Sequence, residues 1–514
     1  MSRRSALLAA LPATVVLTGQ AIADVTPEEV WNVYESYVEA YGIDVSASTV
    51  RNGDVLEVSD INFGITLPQG FGTIDMSMDG ISLTDRGDGT VAFEYPDQSE
   101  MVFDMTIGPM GDQVSGSATV SYAITGNETI AAGTAEDLAL QSTVETMSMS
   151  LTDLSFSEEP EIDASIFDIN FEFSGMNSQS RIRTVDGMTT VDTQGDVGSM
   201  IYSMVFTDPE TGDRFLENSG NSEGTRSTTS ITIPASGINW MDFGNELRNG
   251  LSIESSSSVA SSNSASLTPI EGAASEQRSS STDVTSNIMF DADGLAISGT
   301  YGSSNFSYSM AELLPFPIEA EIEGASVDFA MPVLSTESAA PVVYAVAVDG
   351  LSVSDQIWAL LDPSAVLPRD PVSLDIDLTA DVRLLVDLFD FEALMPMIEN
   401  EEIPAELESL TINALDASAA GATLSTTGAF DFDFTDMTTY PGMPKPIGSA
   451  TLAATGVNAL LDRLITIGLV SESDAMGARA GIAMIAEATG DDALETTVET
   501  TDDGQLIVNG QRMR

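Results

Sequence analysis

Apolar and polar residues alternate along most of this chain, and this period of two limits the fold more than any other feature. Such alternation is typical of strands with one apolar face and one wet face. Turn signals such as Asp186-Gly187 fall between the alternating segments, where hairpins require positive φ. We expect antiparallel pairing, because the long helical crossovers that parallel pairing requires are absent. The alternation is clearest at residues 74–78, 91–95, 101–105, 147–151, 167–173, 374–378 and 430–434.

Helical periods are confined to two parts of the chain. The capping box at residues 26–29, with proline at the first helical position, predicts a helix that continues to Gly42. Further helices are predicted near residues 356–361 and 387–398, followed by two that end at Gly468 and Gly490. The predicted fold is therefore mainly β with a few helices (α+β). We expect extended, curved antiparallel sheets, with helices at the N-terminus and in the C-terminal third.

The N-terminal residues carry the pattern of an export signal. Two arginines in residues 1–4 precede an apolar run at 6–17, and small residues follow at 21–23. This pattern predicts a signal peptide over residues 1–23, cleaved between Ala23 and Asp24. The Sec and twin-arginine routes both fit the sequence, and we expect a periplasmic location. No later stretch is long and apolar enough to span a membrane.

The mature chain divides by composition near residue 339. Residues 24–338 are predicted to form the first helix and an extended antiparallel region, and residues 339–514 an α+β region. Serine, threonine and asparagine dominate residues 217–287, which we interpret as edge strands joined by long loops, the alternative being a flexible excursion. Residues 78–85 and 348–355 echo each other, which is consistent with either a duplicated sheet unit or a chance recurrence.

The composition excludes several classes of chemistry. With no His and no Cys, the chain cannot form a Ser-His-Asp or Cys-His system or the usual tetrahedral zinc site. Lys445 is the only lysine, and it lies between two prolines in a predicted turn and not in a phosphate-binding loop. The formal net charge of -63 opposes binding to nucleic acid, whose affinity depends on cationic side chains. We predict no catalytic residue, no cofactor and no metal ligand.

Acidic residues offer the remaining candidates for chemistry. Neighbouring carboxylates can serve a glycosidase, but with 80 Asp and Glu in the chain such neighbours are unavoidable, and we interpret them as solvated surface. Neither 86–89 nor 291–294 extends into the loop with a distal glutamate that an EF-hand requires. The acidic groups considered are Glu401-Glu402 with Glu406 and Glu408, and Asp491-Asp492.

Seven apolar residues are candidates for lining a ligand groove. A sheet with one apolar face must cover it with helices, a second sheet or a ligand, and few helices are predicted. The side chains therefore line either an ordinary core or a groove that accepts acyl chains, for which the adaptable methionine is well suited. The candidates are Met76, Met78, Phe93, Met147, Met149, Phe171 and Phe173.

The C-terminal sequence resembles a bacterial family. Residues 410–415, 420–422 and 446–448 and the closing run 504–510 resemble the uncharacterised exported bacterial family called domain of unknown function twenty-one twenty-five, over most of the mature chain. More distantly, the ending is similar to that of AsmA-like envelope proteins, a resemblance that implies long curved β-sheets and lipid traffic. The shared motifs are structural turns, so the resemblance transfers no active-site residue.

These observations lead to three functional hypotheses of different classes. The first is an exported, non-enzymatic envelope protein that binds or carries an apolar ligand, with lipid favoured, on the apolar face of a curved sheet. The second is a structural or interaction protein of the envelope that uses its acidic face and edge strands. The third is a carboxylate-dependent hydrolase, which requires two carboxylates to converge in a cleft.

Overall fold

The computed structural model describes residues 24–67, 70–108, 113–157, 164–209, 211–270, 273–310 and 314–513. Ala23 and the rest of the predicted signal peptide lie outside the described residues, and Asp24 is exposed at their start. The helices are α1 Pro27–Ala40, α2 Phe243–Arg248, α3 Asp355–Leu361, α4 Phe391–Glu399, α5 Val457–Thr466 and α6 Glu472–Ile485. No helix among the described residues has the length and apolar character needed to cross a membrane.

Strands make up most of the molecule. In chain order they are β1 Asp44–Asn52, β2 Val55–Leu67, β3 Gly72–Met78, β4 Ile81–Asp85, β5 Thr90–Glu94, β6 Gln98–Ile107, β7 Val114–Thr125, β8 Glu128–Thr134, β9 Asp137–Phe156, β10 Phe167–Val185, β11 Met188–Thr207, β12 Arg214–Ile233, β13 Ser252–Ile270 and β14 Ala273–Asp291. There follow β15 Gly294–Tyr301, β16 Ser304–Met310, β17 Ile318–Ile322, β18 Gly324–Met331, β19 Ala340–Val353, β20 Val372–Leu384, β21 Ala405–Ala419, β22 Ala422–Asp433, β23 Lys445–Thr455, β24 Glu487–Gly490, β25 Ala493–Thr500, β26 Leu506–Val508 and β27 Gln511–Arg512. The predicted mainly β fold with few helices is confirmed.

All these strands belong to one antiparallel sheet. Its centre is the meander β9 to β14, in which each strand pairs with the next along the chain. On one side, the long β9 pairs with two shorter strands, β7 and β8, and the sheet continues from each of them. One path runs from β7 through β6 and β3 to β2, and the other runs from β8 through β5 and β4 to β2. Strand β2 then pairs with β1. On the other side, β14 leads through β15 to β18 into β19 and then to the C-terminal strands.

The helix prediction is confirmed at the N-terminus and is less accurate for α4 and α6. In α1, the Glu29 amide donates to the Thr26 hydroxyl at 3.3 Å and the Thr26 amide donates to the Glu29 carboxylate at 2.9 Å, which is the predicted capping box. The helix expected from residue 387 begins at Phe391, because Asp387 is engaged elsewhere. The last helix ends at Ile485 instead of reaching Gly490, since the chain there enters β24.

The serine-rich segment forms long central strands. The runs at 254–258 and 278–281 lie inside β13 and β14, and β12, β13 and β14 each have a paired strand on both sides. The segment therefore forms strands, as expected, but they lie in the centre of the sheet and not at its edge. Small hydroxyl side chains suit these positions because they bond across strands, as Thr228 does with Ser256 at 2.6 Å and Ser264 with Ser279 at 2.7 Å. Pairing also continues from β18 to β19 across residue 339.

A crease crosses the sheet roughly perpendicular to its strands. Along this line, single residues in several strands have φ between 48° and 68°, and glycine is the commonest of them. The positions are close together in space, since a Cβ placed on Gly175 would lie 3.6 Å from the Cα of Gly198 in the next strand. The residues of the crease with positive φ are Asp60, Gly126, Gly175, Gly224, Asp283 and Gly350.

The crease changes the phase of the apolar alternation, so that one face of the sheet stays apolar on both sides of it. In β2, Leu56 and Val58 precede Asp60, and Ile61 and Phe63 follow it. Regular alternation would put these two pairs on opposite faces. Instead all four side chains pack in the same buried cluster. The apolar residues of β2 thus occupy even positions before the crease and odd positions after it, and they still share one face of the sheet. We call this continuous apolar face the inner face.

Two buried clusters lie mostly on one side of the crease, which we call the covered half, and the first extends past the crease to Ile61 and Phe63. The first cluster includes Val30 and Trp31 of α1 with Leu83 of β4 and Leu138 of β9. The second includes Ile233, Ile238, Leu247, Leu251, Val333 and Leu334, packed against Tyr41 at the end of α1. Since α1 packs against both clusters, it bridges strands at both sides of the curved sheet.

The rest of the inner face, on the other side of the crease, is here named the open half. The molecule exposes 29117 Å², whereas a compact chain of 54.0 kDa exposes about 18,000 Å² by the usual size scaling. A single open layer accounts for such an excess, because only one face of it can be buried by the chain itself.

Candidate functional site

Four of the seven predicted groove residues meet on the open half. Met149 lies opposite Phe171, and Met147 lies opposite Phe173, on the paired strands β9 and β10. Opposite residues in an antiparallel pair share a face, so the four side chains form one block. The rings of Phe171 and Phe173 stack with centroids 6.4 Å apart. All four side chains remain partly exposed.

The other three predicted residues lie elsewhere. Met76 is opposite Phe103 of β6, and Met78 is opposite Met101, so both stand on the same sheet several strands from the block. Phe93 is 5% exposed and belongs to the first buried cluster. Phe93 is thus a core residue, whereas Met76 and Met78 extend the partly exposed apolar surface toward β3.

The structure adds apolar residues that the sequence analysis did not select. Tyr122 of β7 pairs with Met149, and Tyr202 of β11 pairs with Phe171. The ring centroids of Phe171 and Tyr202 are 6.5 Å apart. Tyr122 ends the alternating run Val120-Ser121-Tyr122, a signal that could have identified it, whereas Met200-Ile201-Tyr202 is apolar throughout and does not single out Tyr202. The block therefore spans β7, β9, β10 and β11 as one apolar wall.

The same row of residues continues from the apolar wall into a polar cavity. Strand by strand, the register carries the row from Tyr202 to Gly220, Ser264, Ser279 and Phe306. These last four residues line a cavity of about 710 Å³. A Cβ on Gly220 would lie 2.8 Å from the Tyr202 hydroxyl, so glycine is needed to let that ring lie across the row.

The lining of this cavity differs from the predicted groove. Serine and asparagine predominate, with Ala265, Phe306, Ala320 and Val353 as apolar members, and none of the seven predicted residues contributes. The methionine and phenylalanine wall and the cavity are thus neighbouring parts of one open inner face. Together they form a surface with an apolar side and a hydroxyl-rich side.

Tyrosines mark the boundary between the covered half and the open half. Burial raises the pKa of Tyr95 to about 12, and the neighbouring Tyr34 and Tyr122 add to the effect. Burial, followed by the nearby Tyr37, also raises the pKa of Tyr34. These phenols stay protonated at ordinary pH and act as uncharged hydrogen-bonding groups. Tyr122 links the two halves, because it lies near Tyr95 and also pairs with Met149 of the apolar wall.

Three of the six carboxylates considered for hydrolysis have structural partners. Arg383 of β20 forms ion pairs with Glu406 and Glu408 of β21. Asp492 accepts hydrogen bonds from the amides of Asn458 and Ala459 at 3.0 Å, and so caps the first turn of α5. Burial alone would raise the pKa of Asp492, but these hydrogen bonds outweigh it and lower the pKa. The carboxylates that meet, Glu406 and Glu408, are thus engaged by an arginine, and none of the six lines the cavity beside Ser264.

The single lysine and the acidic turns also serve the fold. Lys445 begins β23 and its ammonium lies 3.2 Å from Asp433, with Asp436 at 3.7 Å. Asp88 accepts from the Thr90 amide at 3.1 Å, which closes its turn. Within the described ranges, no group of three or more carboxylates is arranged to hold a metal ion.

Comparison with known proteins gives one family. A family model described as "Uncharacterized protein conserved in bacteria (DUF2125)" matches residues 247–511, a shorter stretch than the resemblance predicts. None of the curated proteins and none of the solved structures compared with the chain matches it. The matched residues run from α2 to the final strand and include the cavity-lining strands β13, β14, β16, β17 and β19, whereas β12 precedes the match. Because this match covers more than half of the sequence, the chain belongs to the bacterial family DUF2125.

Proposed function

We propose that this protein is an exported, periplasmic envelope protein that binds or carries an apolar ligand, with lipid as the favoured class, without catalysing a reaction. The observation that supports this most is the apolar wall of Met147, Met149, Phe171 and Phe173, which remains partly exposed on the inner face. Exposed apolar patches of this kind are typical of binding sites. The export step rests on the signal pattern in residues 1–23.

The binding mechanism is desolvation of hydrocarbon. Each methylene removed from water contributes about 0.8 kcal/mol, so ten methylenes laid on the wall supply about 8 kcal/mol before the cost of ordering the chain. The wall crosses the neighbouring strands β7, β9, β10 and β11, and methionine side chains adjust to irregular shapes. An extended acyl chain is a ligand that such a surface can accommodate.

The test uses the mature protein and an uncharged fluorescent probe, N-phenyl-1-naphthylamine. We expect the wild type to bind the probe and Phe171→Asp to weaken binding at least tenfold, since a carboxylate in the wall must be desolvated. Ile201→Asp is the matched control. Ile201 is 50% exposed and sits beside Tyr202 in β11, on the opposite face of the sheet.

Lipid content gives an independent readout. We expect native mass spectrometry of protein gently released from the periplasm to show bound lipid in the wild type and less in Phe171→Asp. Absence of both lipid and probe binding in the wild type would refute the proposal. Equal losses in Phe171→Asp and Ile201→Asp would place the binding outside the apolar wall.

The second candidate is an interaction protein, which the edge strand favours. Among the described residues β1 pairs with β2 alone, and Val50 at its end is 55% exposed. Unpaired edge strands can accept a strand from a partner. This function predicts pull-downs that weaken with salt or depend on calcium, because the acidic surface would contribute to them.

A further inference from the structure

We infer that the ligand of this surface is an uncharged amphiphile, whose hydrocarbon lies on the apolar wall and whose hydroxyl- or amide-bearing headgroup lies in the adjoining cavity. This inference rests on the proposed function and specifies its ligand class. It follows from three properties of the open half: the order of side chains along one row, a buried polar atom without a partner, and the charge of the surroundings.

The row of side chains changes from apolar to hydroxylic within two strands. From Phe171 and Tyr202 the register passes to Gly220, Ser264 and Ser279. The hydroxyls of Ser264 and Ser279 lie 2.7 Å apart, and their mutual bond uses one donor and one acceptor. One donor and several lone pairs remain for a ligand. The cavity of about 710 Å³ at this point has the size of small-molecule sites.

One buried polar atom beside the cavity lacks a hydrogen-bond partner. The Oδ1 of Asn218 is buried and unpaired. Asn218 lies opposite Met204 of β11 and Ser266 of β13, two residues along β12 from Gly220 and therefore on the same face. An unpaired buried group costs about 1 to 3 kcal/mol, and a headgroup that donates a hydrogen bond can satisfy this acceptor.

The charges around the cavity disfavour an anionic headgroup. Glu319, Glu321 and Arg278 line the cavity, and Arg278 is held by Glu276, to which it donates at 2.8 Å. The whole chain carries a formal net charge of -63. A phosphate or carboxylate would therefore approach against the field, whereas hydroxyls and amides would not.

The experiment compares two amphiphiles with the same hydrocarbon chain. 1-Monolauroylglycerol has an uncharged headgroup and laurate has an anionic one, and both displace bound N-phenyl-1-naphthylamine. We expect monolauroylglycerol to bind at least tenfold more tightly than laurate. The double variant Ser264→Val, Ser279→Val should lose about tenfold in affinity for monolauroylglycerol, the equivalent of one or two hydrogen bonds.

Asn218→Val keeps the test decisive if the double valine variant does not fold. Removing the unpaired oxygen should raise the urea midpoint of the free protein and weaken monolauroylglycerol binding severalfold, two effects of opposite sign. Tyr344→Phe, at a tyrosine 46% exposed on β19, should do neither. If laurate binds the wild type as tightly as monolauroylglycerol does, the headgroup inference fails while the apolar carrier stands. The same conclusion follows if the variants bind monolauroylglycerol as tightly as the wild type does. If the wild type does not bind the fluorescent probe, the proposed function itself fails.

Discussion

The ion pair between Arg248 and Asp387 joins two distant parts of the chain, and its removal gives a measurable loss of stability. Nη1 and Nη2 of Arg248, at the end of α2, donate to the two oxygens of Asp387 at 2.5 and 2.7 Å. Asp387 also accepts from the amide and the hydroxyl of Ser335, both at 2.7 Å. The Asp387 side chain is 17% exposed, so these four bonds are largely shielded from solvent. They hold α2 against the segment that precedes α4.

The size and pH dependence of the effect follow from the carboxyl group. Hydrogen bonds from Arg248, and then those from Ser335, lower the pKa of Asp387 from 3.8 to about 2, against the opposing effect of burial. At 1.36 kcal/mol per pKa unit the ionised form gains about 2 kcal/mol. Because the folded-state pKa is depressed, this stability is complete above the unfolded-state pKa, near 4, and is lost as the pH falls toward 2.

The assay is urea unfolding of wild type, Asp387→Asn, Arg248→Ala and the double variant between pH 2 and pH 7. We expect Asp387→Asn to cost about 2 kcal/mol at pH 7 and the difference from wild type to shrink through pH 4 to 2. The double-mutant cycle should give a coupling free energy of about 1 kcal/mol between Arg248 and Asp387, since Arg248 is 41% exposed and solvent screens part of the ion pair. A difference that stays constant over this pH range would refute the reasoning.

Two further variants test the crease and the closing hairpin. Gly175→Ala should lower stability by about 1 to 2 kcal/mol, because φ is 61° there, whereas Gly195→Ala, in the neighbouring strand without positive φ, should change the urea midpoint little. Asn509→Ala should cost about 1 to 3 kcal/mol, because its side chain accepts from the Thr497 amide at 2.7 Å and donates to the Ile485 carbonyl at 2.9 Å. Faster hydrogen exchange confined to β24 to β27 would support the second prediction, and unchanged exchange would contradict it.

Local patterns predicted the local structures well. The capping box at Thr26 and Glu29 specifies the start of α1 through bonds within four residues. Asp186-Gly187 forms the turn between β10 and β11 with φ of 50° and 82°, as hairpin chemistry requires. In both cases the determining contacts are close in sequence, so composition and spacing were sufficient. The turn at Gly504 and the hairpin of β25 with β26 follow the same rule.

Long-range features were predicted less well, because their causes are distant in sequence. The serine runs inside β13 and β14 look like linkers when read alone, and only pairing with strands on both sides makes them central strands. The predicted groove residues were selected strand by strand, and Phe93 is core because α1 packs on its strand neighbours. The cavity beside Ser264 could not be found from an apolar pattern, since it is mostly hydroxylic.

The crease explains the internal echo without requiring a duplication. Gly80, in the first copy, connects β3 to β4, and a Cβ there would lie 2.4 Å from the Val58 carbonyl oxygen, next to the positive-φ residues of the crease. Gly350, in the second copy, has φ of 67° inside β19 and faces Glu323 at the junction of β17 and β18. The elements that follow differ, since Asp85 ends a strand and Asp355 begins α3. A duplicated unit would repeat the strands and helices that follow it. A requirement for glycine at or beside the crease repeats only the residues at that place.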